Sequence, residues 1–284
     1  MAEHESAQST TTGGLAVAPS LQPTLDASGI AAPPAVLDRR VVWLCALAMV
    51  LGLFAGLVAQ LLGALIGFFT NLAFFGEASL AARSPADNTL GPWVIAVPIV
   101  GAVIVGLMAR YGSQAIRGHG IPEAMEQVLF HGSRIPARIT FLKPLSSAVA
   151  IGTGGPFGAE GPIIATGGAL GSLLGQLLRT TAEERKVLLA AGAGAGMSAT
   201  FGAPVSAVLL AVELLLFEYR PRSVIPVALA TSVAAAVRIA TTGGGPMFAM
   251  SELAPQTSTA LACYVVIGAC AGVASVGVTR AVYA

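Results

Sequence analysis

Long apolar stretches, broken by short polar or basic interruptions, occupy the chain from residue 41 to residue 278. The first, residues 41–75, contains no charged side chain. As one helix it would be about 52 Å long at ~1.5 Å per residue. Holding that length within a hydrocarbon core of about 30 Å would need a tilt of about 55°, beyond the usual range. The segment is therefore expected either to bend near Gly63 or Gly67 or to carry one end out of the hydrocarbon. A mixed-charge loop at 76–92 leads to a second predicted span at 93–108. A basic region from Arg110 to Lys143 follows, holding Arg117, Arg134 and Arg138. Beyond it the apolar segments become short and interrupted, at 145–151, 163–178, 187–200, 205–217, 224–240 and 261–278, with a charged connection at 180–186. No segment sustains the alternation of a half-buried strand, and a chain embedded in lipid must form helices or a closed barrel. Small residues at Gly167, Gly171 and Gly175, and in the run from Gly192 to Gly196, permit close helix contact. The pattern predicts an all-α polytopic membrane protein with tilted and broken helices of unequal length.

Composition agrees with that reading. The chain is 55% hydrophobic and 10% charged, against about 25% charged in soluble domains. A net charge of +1 gives no electrostatic footprint for nucleic acid. Cys45, Cys263 and Cys270 lie in apolar runs without metal spacing, so no metal site and no disulfide framework are expected. Residues 1–38 are rich in Ser, Thr, Ala and Pro and lack a secretory h-region, which predicts a disordered tail. The positive-inside rule places Arg39, Arg40 and the 110–143 region in the cytoplasm, with the 76–92 loop outside.

Chemistry concentrates in residues 152–168, where a glycine-dense turn delivers Glu160 to a Gly-Pro step that opens an apolar helix. An ionisable residue in such a segment is expensive and marks a functional site by default. Three breaks share this design: Gly118-His119-Gly120-Ile121-Pro122-Glu123, Gly158-Ala159-Glu160-Gly161-Pro162 and Phe201-Gly202-Ala203-Pro204. Proline suits a first helical turn, because its missing N–H has no partner there anyway. A helix N-terminus carries about half a positive charge and several free N–H donors, so it attracts anions. Discontinuous helices near the bilayer midplane build ion sites in this way. Three such ends aimed at one point would hold an anion without binding it too tightly to leave.

With these residues in view, the chain resembles the CLC family of voltage-gated-type chloride channels and proton/chloride exchangers. Gly118–Glu123 is similar to the family's G-S-G-I-P motif, and Gly158–Pro162 to its G-[KR]-E-G-P motif. Residues 190–213 resemble the helix pair that follows. The resemblance covers roughly residues 41–284 and implies a transmembrane domain over 39–284, the first inverted-repeat half of a CLC-type fold plus about one helix. It implies a small inorganic anion as ligand, chloride first, with no cofactor, and a homodimer; Ala/Gly richness and compact loops suggest a bacterial cytoplasmic membrane. It also places Glu160 at the gating glutamate. That carboxylate competes with the anion for the helix N-termini and swings aside when protonated. His119 replaces the serine of chloride-selective members, which points to tuned anion choice.

The position of the proton-coupling glutamate falls on Leu214, with Glu213 beside it and Glu218 one turn later. A channel-like or weakly proton-coupled mode is therefore expected. The second-half G-x-F-x-P motif and its tyrosine are not found, and Pro246-Met247-Phe248 is a poor substitute, so a truncated half that does not transport alone is the alternative expectation. A remote alternative is an intramembrane serine protease. Gly196-Met197-Ser198-Ala199 faintly resembles a rhomboid motif, but His4, His119 and His131 all precede Ser198.

Overall fold

The computed structural model describes residues 39–118, 120–245 and 257–283. Among the described residues all regular structure is helical. The described residues form two units, one reaching Gly245 and one beginning at Pro246.

The first unit opens with α1 (Arg39–Phe75), which runs unbroken through Gly63 and Gly67. Its last turns are covered by the following loop, where the Asn71 amide donates to the Ser79 and Ala81 carbonyls at 2.9 and 2.8 Å. One stripe of α1 is buried, through Leu44, Ala48, Leu51, Ala55, Ala59 and Leu62, the i, i+3, i+4 spacing of a helix face. Phe54, Leu57 and Leu61 point outward and are exposed. α2 (Ala96–Leu107) continues without interruption into a single wide turn at Met108–Gly112.

The basic region is not a loop. It folds into α3 (Ile121–Phe130) and the first half of α4 (Ala137–Gly152), which begins well before the apolar run at 145–151. The cause is tertiary: Lys143, Ser146 and Thr140 are buried in α4 despite their polarity, so packing overrides the hydropathy pattern. α5 (Glu160–Leu177) and α6 (Ala182–Phe201) form an antiparallel hairpin, and α6 is capped by Thr181, whose hydroxyl accepts the Glu184 N–H. α7 (Pro204–Ala211) is short and ends in a wide turn at Val212–Leu216. α8 (Pro221–Thr242) closes the unit.

α6 lies at the centre, with Leu188, Leu189, Ala190, Ala191 and Ala195 fully buried. It makes its most extensive contact with α5, and also packs on α1 and α8. Small residues set the spacing. A Cβ on Gly167 would overlap the Gly192 carbonyl, and one on Gly171 would overlap the Leu188 carbonyl. The backbones of α5 and α6 therefore approach within a distance that only glycine permits.

The second unit is α9 (Ser258–Tyr283), none of whose described residues is buried. Four helical stretches, Arg39–Phe75, Gly91–Gly112, Pro221–Thr242 and Ser258–Tyr283, are long and apolar enough to cross a bilayer. The predicted tail at 1–38 and Pro246-Met247-Phe248 lie outside the described residues.

Candidate functional site

Two of the three predicted breaks meet. Gly118 and Gly120 hold φ values of +97° and +96°, a region open to glycine but costly for other residues. Space imposes the same choice. A Cβ on Gly118 would strike the Glu123 carboxylate, and one on Gly120 would strike the Gly161 carbonyl. The turn is thus wedged between the first turns of α3 and α5. The Glu123 carboxylate accepts the Gly120 N–H at 2.6 Å, which caps α3. Pro122 lies in the first turn of α3 and Pro162 in the first turn of α5, where their missing N–H groups leave no unpaired donor.

Between these two helix ends lies a cavity of about 440 Å³. Gly118 and Ile121 line one side, and Gly158, Glu160, Gly161 and Pro162 line another. Glu160 is the first residue of α5 and is exposed. It makes no hydrogen bond and joins no ion pair among the described residues. Ala159 is the cap residue of α5, and its carbonyl accepts the Ile163 N–H at 3.0 Å. A face of α4 forms a further wall, through Lys143, Ser146, Ser147, Ala150 and Ile151, and Val105 of α2, Ile116 and Phe157 complete the lining.

Lys143, which in the sequence counts only toward the basic region, lines this cavity from α4. It is 3% exposed, and its ammonium donates to the carbonyls of Ile116 and Gly118, both at 2.9 Å. It also lines a second cavity of about 290 Å³, together with Glu123, Arg117 and Gln127. The 116–120 turn is thus pinned by a lysine from α4 and a glutamate from α3. The signal available in the sequence was a single lysine directly before Pro144 and an apolar run. His119 lies outside the described residues.

The third break does not join the cavity. Phe201, Gly202, Ala203 and Pro204 are absent from its lining, and Gly202 instead sits against the Arg238 guanidinium. Helix geometry gives the reason. Gly192 and Gly196 face α5, whereas Gly194 faces Ala207, Ala211 and Thr231 on α7 and α8. Two residues along a helix is a rotation of about 200°, so α6 stands between α7 and the Glu160 cavity. The expectation of three helix ends around one point is corrected to two.

At the position expected for a proton-coupling acid, Leu214 is partly buried against the core and Glu213 beside it is exposed. Glu218 is not one turn further along the same helix, because Phe217 adopts a left-handed conformation (φ 53°) and ends it. Glu218 is a paired charge beside Arg220. It is 6% exposed, lies 3.6 Å from Arg220 and 3.9 Å from Lys186, and accepts the Ser223 hydroxyl proton. Ser198 is fully buried and donates to the Thr231 carbonyl at 2.8 Å, a bond that ties α6 to α8.

Apolar spanning helices, interrupted near an acid-bearing cavity by proline-started turns, define a multi-pass helical membrane protein of the discontinuous-helix class. The chain belongs to the voltage gated chloride channel family, whose profile matches residues 100–284. Among its relatives, the H(+)/Cl(-) exchange transporter ClcA of Vibrio vulnificus is 29% identical, over 78% of this chain and 49% of that protein. The chloride channel protein CLC-f of Arabidopsis thaliana is 28% identical, over 73% of this chain and 26% of the plant protein. The crystal structure of a slow cyanobacterial Cl−/H+ antiporter superposes with a TM-score of 0.64 at 21% identity, over 82% of this chain and 54% of the antiporter. That likeness shows the fold. The chain spans half or less of the length of these curated relatives.

Proposed function

We propose that this chain forms part of a transmembrane anion path, chloride first, gated by Glu160. The observation that carries the reading is an unpartnered carboxylate at the mouth of a cavity shared by two helix N-termini. Residues from the first turns of both helices line the same space, and a helix N-terminus carries positive partial charge, which favours one negative group there at a time. In the closed state that group is the Glu160 carboxylate. Once Glu160 is protonated, a small anion replaces it. The names of the relatives, a chloride channel protein and an H(+)/Cl(-) exchange transporter, support the choice of ion. In this reading His119 adjusts anion preference, the protein works as a homodimer, and Arg39 and Arg40 lie on the cytoplasmic side of a bacterial membrane.

The test is chloride efflux from liposomes containing the purified protein, measured across a range of pH. Glu160→Gln mimics the protonated acid and should flatten the pH dependence; a variant that retains the wild-type pH response would contradict the gating role.

The mode is passive or weakly coupled, because the leucine at 214 carries no proton and Glu218 is held between two cations. A chloride gradient should therefore drive little or no uphill proton movement into the liposomes. Sustained acidification against the proton gradient would overturn this assignment.

A second reading is favoured by the cavity itself. Only two of the three expected helix ends reach it, and the chain matches about half of the exchanger's length. In that reading this chain supplies one wall of the path and a further polypeptide segment supplies the other. Efflux from liposomes holding this chain alone separates the two: flux favours the first, and its absence alongside measurable anion binding favours the second.

A further inference from the structure

We infer that Ser147 is an anion-coordinating, specificity-determining residue of the Glu160 cavity; the inference rests on the anion-path reading above. α4 presents Lys143, Ser146, Ser147, Ala150 and Ile151 to that cavity, the i, i+3, i+4, i+7, i+8 pattern of one helix face. Two hydroxyls lie on this face, and their bonding separates them. Ser146 is 3% exposed and donates to the Lys143 carbonyl at 3.0 Å. Its hydrogen is committed to its own helix.

Ser147 is half-buried, lines the cavity, and makes no hydrogen bond among the described residues. That is unusual for its setting, since a serine or threonine inside an apolar helix ordinarily bonds back to a carbonyl of the preceding turn. Its neighbours do so. Thr153 donates to the Val149 carbonyl at 2.8 Å, and Thr166 donates to the Pro162 carbonyl at 2.7 Å. In a membrane-embedded cavity a free hydroxyl needs a partner, and the cavity is large enough to hold one beside Glu160.

The chemistry of the walls defines that partner. Lys143 stands one turn before Ser147 on the same face, and the first turn of α5 lies across the cavity. Both favour negative charge. Glu160 supplies it when ionised, so the ligand that accepts the Ser147 hydrogen bond is the anion admitted when Glu160 is neutral. A hydroxyl donor discriminates among anions. Chloride concentrates its charge and accepts strong, directed hydrogen bonds, whereas thiocyanate spreads its charge and accepts weaker ones. Hydrogen bonds to charged partners are the strong class, so removing this donor weakens chloride more than thiocyanate.

The experiment is titration of the purified full chain in detergent with sodium chloride and with sodium thiocyanate, read by isothermal titration calorimetry. Ser147→Ala should weaken chloride binding about tenfold or more, and thiocyanate binding by a clearly smaller factor. Ser147→Thr, which keeps the hydroxyl, should restore the wild-type ratio of the two affinities. A merely structural role for Ser147 would weaken both anions alike, and that result overturns the inference, as does unchanged chloride affinity in Ser147→Ala. If the wild-type chain binds neither anion, the anion-path reading falls and takes this inference with it. If it binds both and only the Ser147 pattern fails, the path stands and the assignment of Ser147 alone is lost.

Discussion

Lys143 and Glu160 are two charges set in apolar helix, and they are treated in opposite ways. The lysine is buried and partnered, with two carbonyls of the 116–118 turn closing on its ammonium. The glutamate is exposed to the cavity and unpartnered. A buried ion is tolerated when its hydrogen-bonding groups are satisfied, so the lysine reads as a fixed clamp. A carboxylate without a partner is free to move. Lys143→Met keeps much of the side-chain volume but leaves the Ile116 and Gly118 carbonyls without their donor. Each unsatisfied buried group costs about 1–3 kcal/mol, so the variant should lose about 2–6 kcal/mol of stability by thermal unfolding in detergent. A melting temperature equal to that of the wild type would show that the clamp contributes little. Glu160 was legible in the sequence because a single acid in a glycine-rich apolar stretch has few bland explanations. Lys143 was not, because it closes a run of basic residues and a charge count hides which of them turns inward. Ser147 was not legible either, because a serine in an apolar helix is ordinarily a packing residue.

At the scale of elements, the α5–α6 hairpin is what positions the site. Its close approach sets where α5 begins and so where Glu160 stands. Two adjacent glycines test this. Gly167 faces the Gly192 carbonyl and has no room for a Cβ, whereas at Gly168 an added Cβ would meet only side-chain atoms, the nearest being Leu189 Cδ2 at 3.6 Å. Gly167→Ala should destabilise the protein by about 1–3 kcal/mol through overpacking. Gly168→Ala should be neutral or stabilise by up to about 1 kcal/mol through helix propensity. Thermal unfolding of the two variants side by side reads the difference, and equal behaviour would mean that the backbones are not in contact. The small-residue spacing announced a close contact in advance. Which face of α6 would meet which neighbour was not readable, because Gly192, Gly194 and Gly196 look alike in sequence yet point to opposite sides. That ambiguity explains why the Phe201–Pro204 break was expected at the cavity and lies behind α6 instead. It also explains why apolar runs underestimated α4, whose polar first half is held by burial rather than by pattern.

For the whole molecule, the account reduces to one arrangement: two proline-started helix ends, with α4 as a further wall, border an open cavity of about 440 Å³, which in the proposed mechanism a carboxylate and an anion occupy in turn. The spanning helices and the order of the breaks were evident from hydropathy and glycine–proline spacing, since both follow from what a bilayer permits. The pairing of the first two breaks needed the fold, because it depends on how α3 and α5 cross. The most direct test is crystallography of Glu160→Gln grown in bromide, with anomalous scattering used to locate the ion. The account predicts a bromide peak in the cavity bounded by Gly118, Ser147 and Gly158–Pro162, stronger in the variant than in the wild type. A well-ordered crystal of the variant with no peak there, or with its bromide only on the lipid or solvent surface, would contradict it.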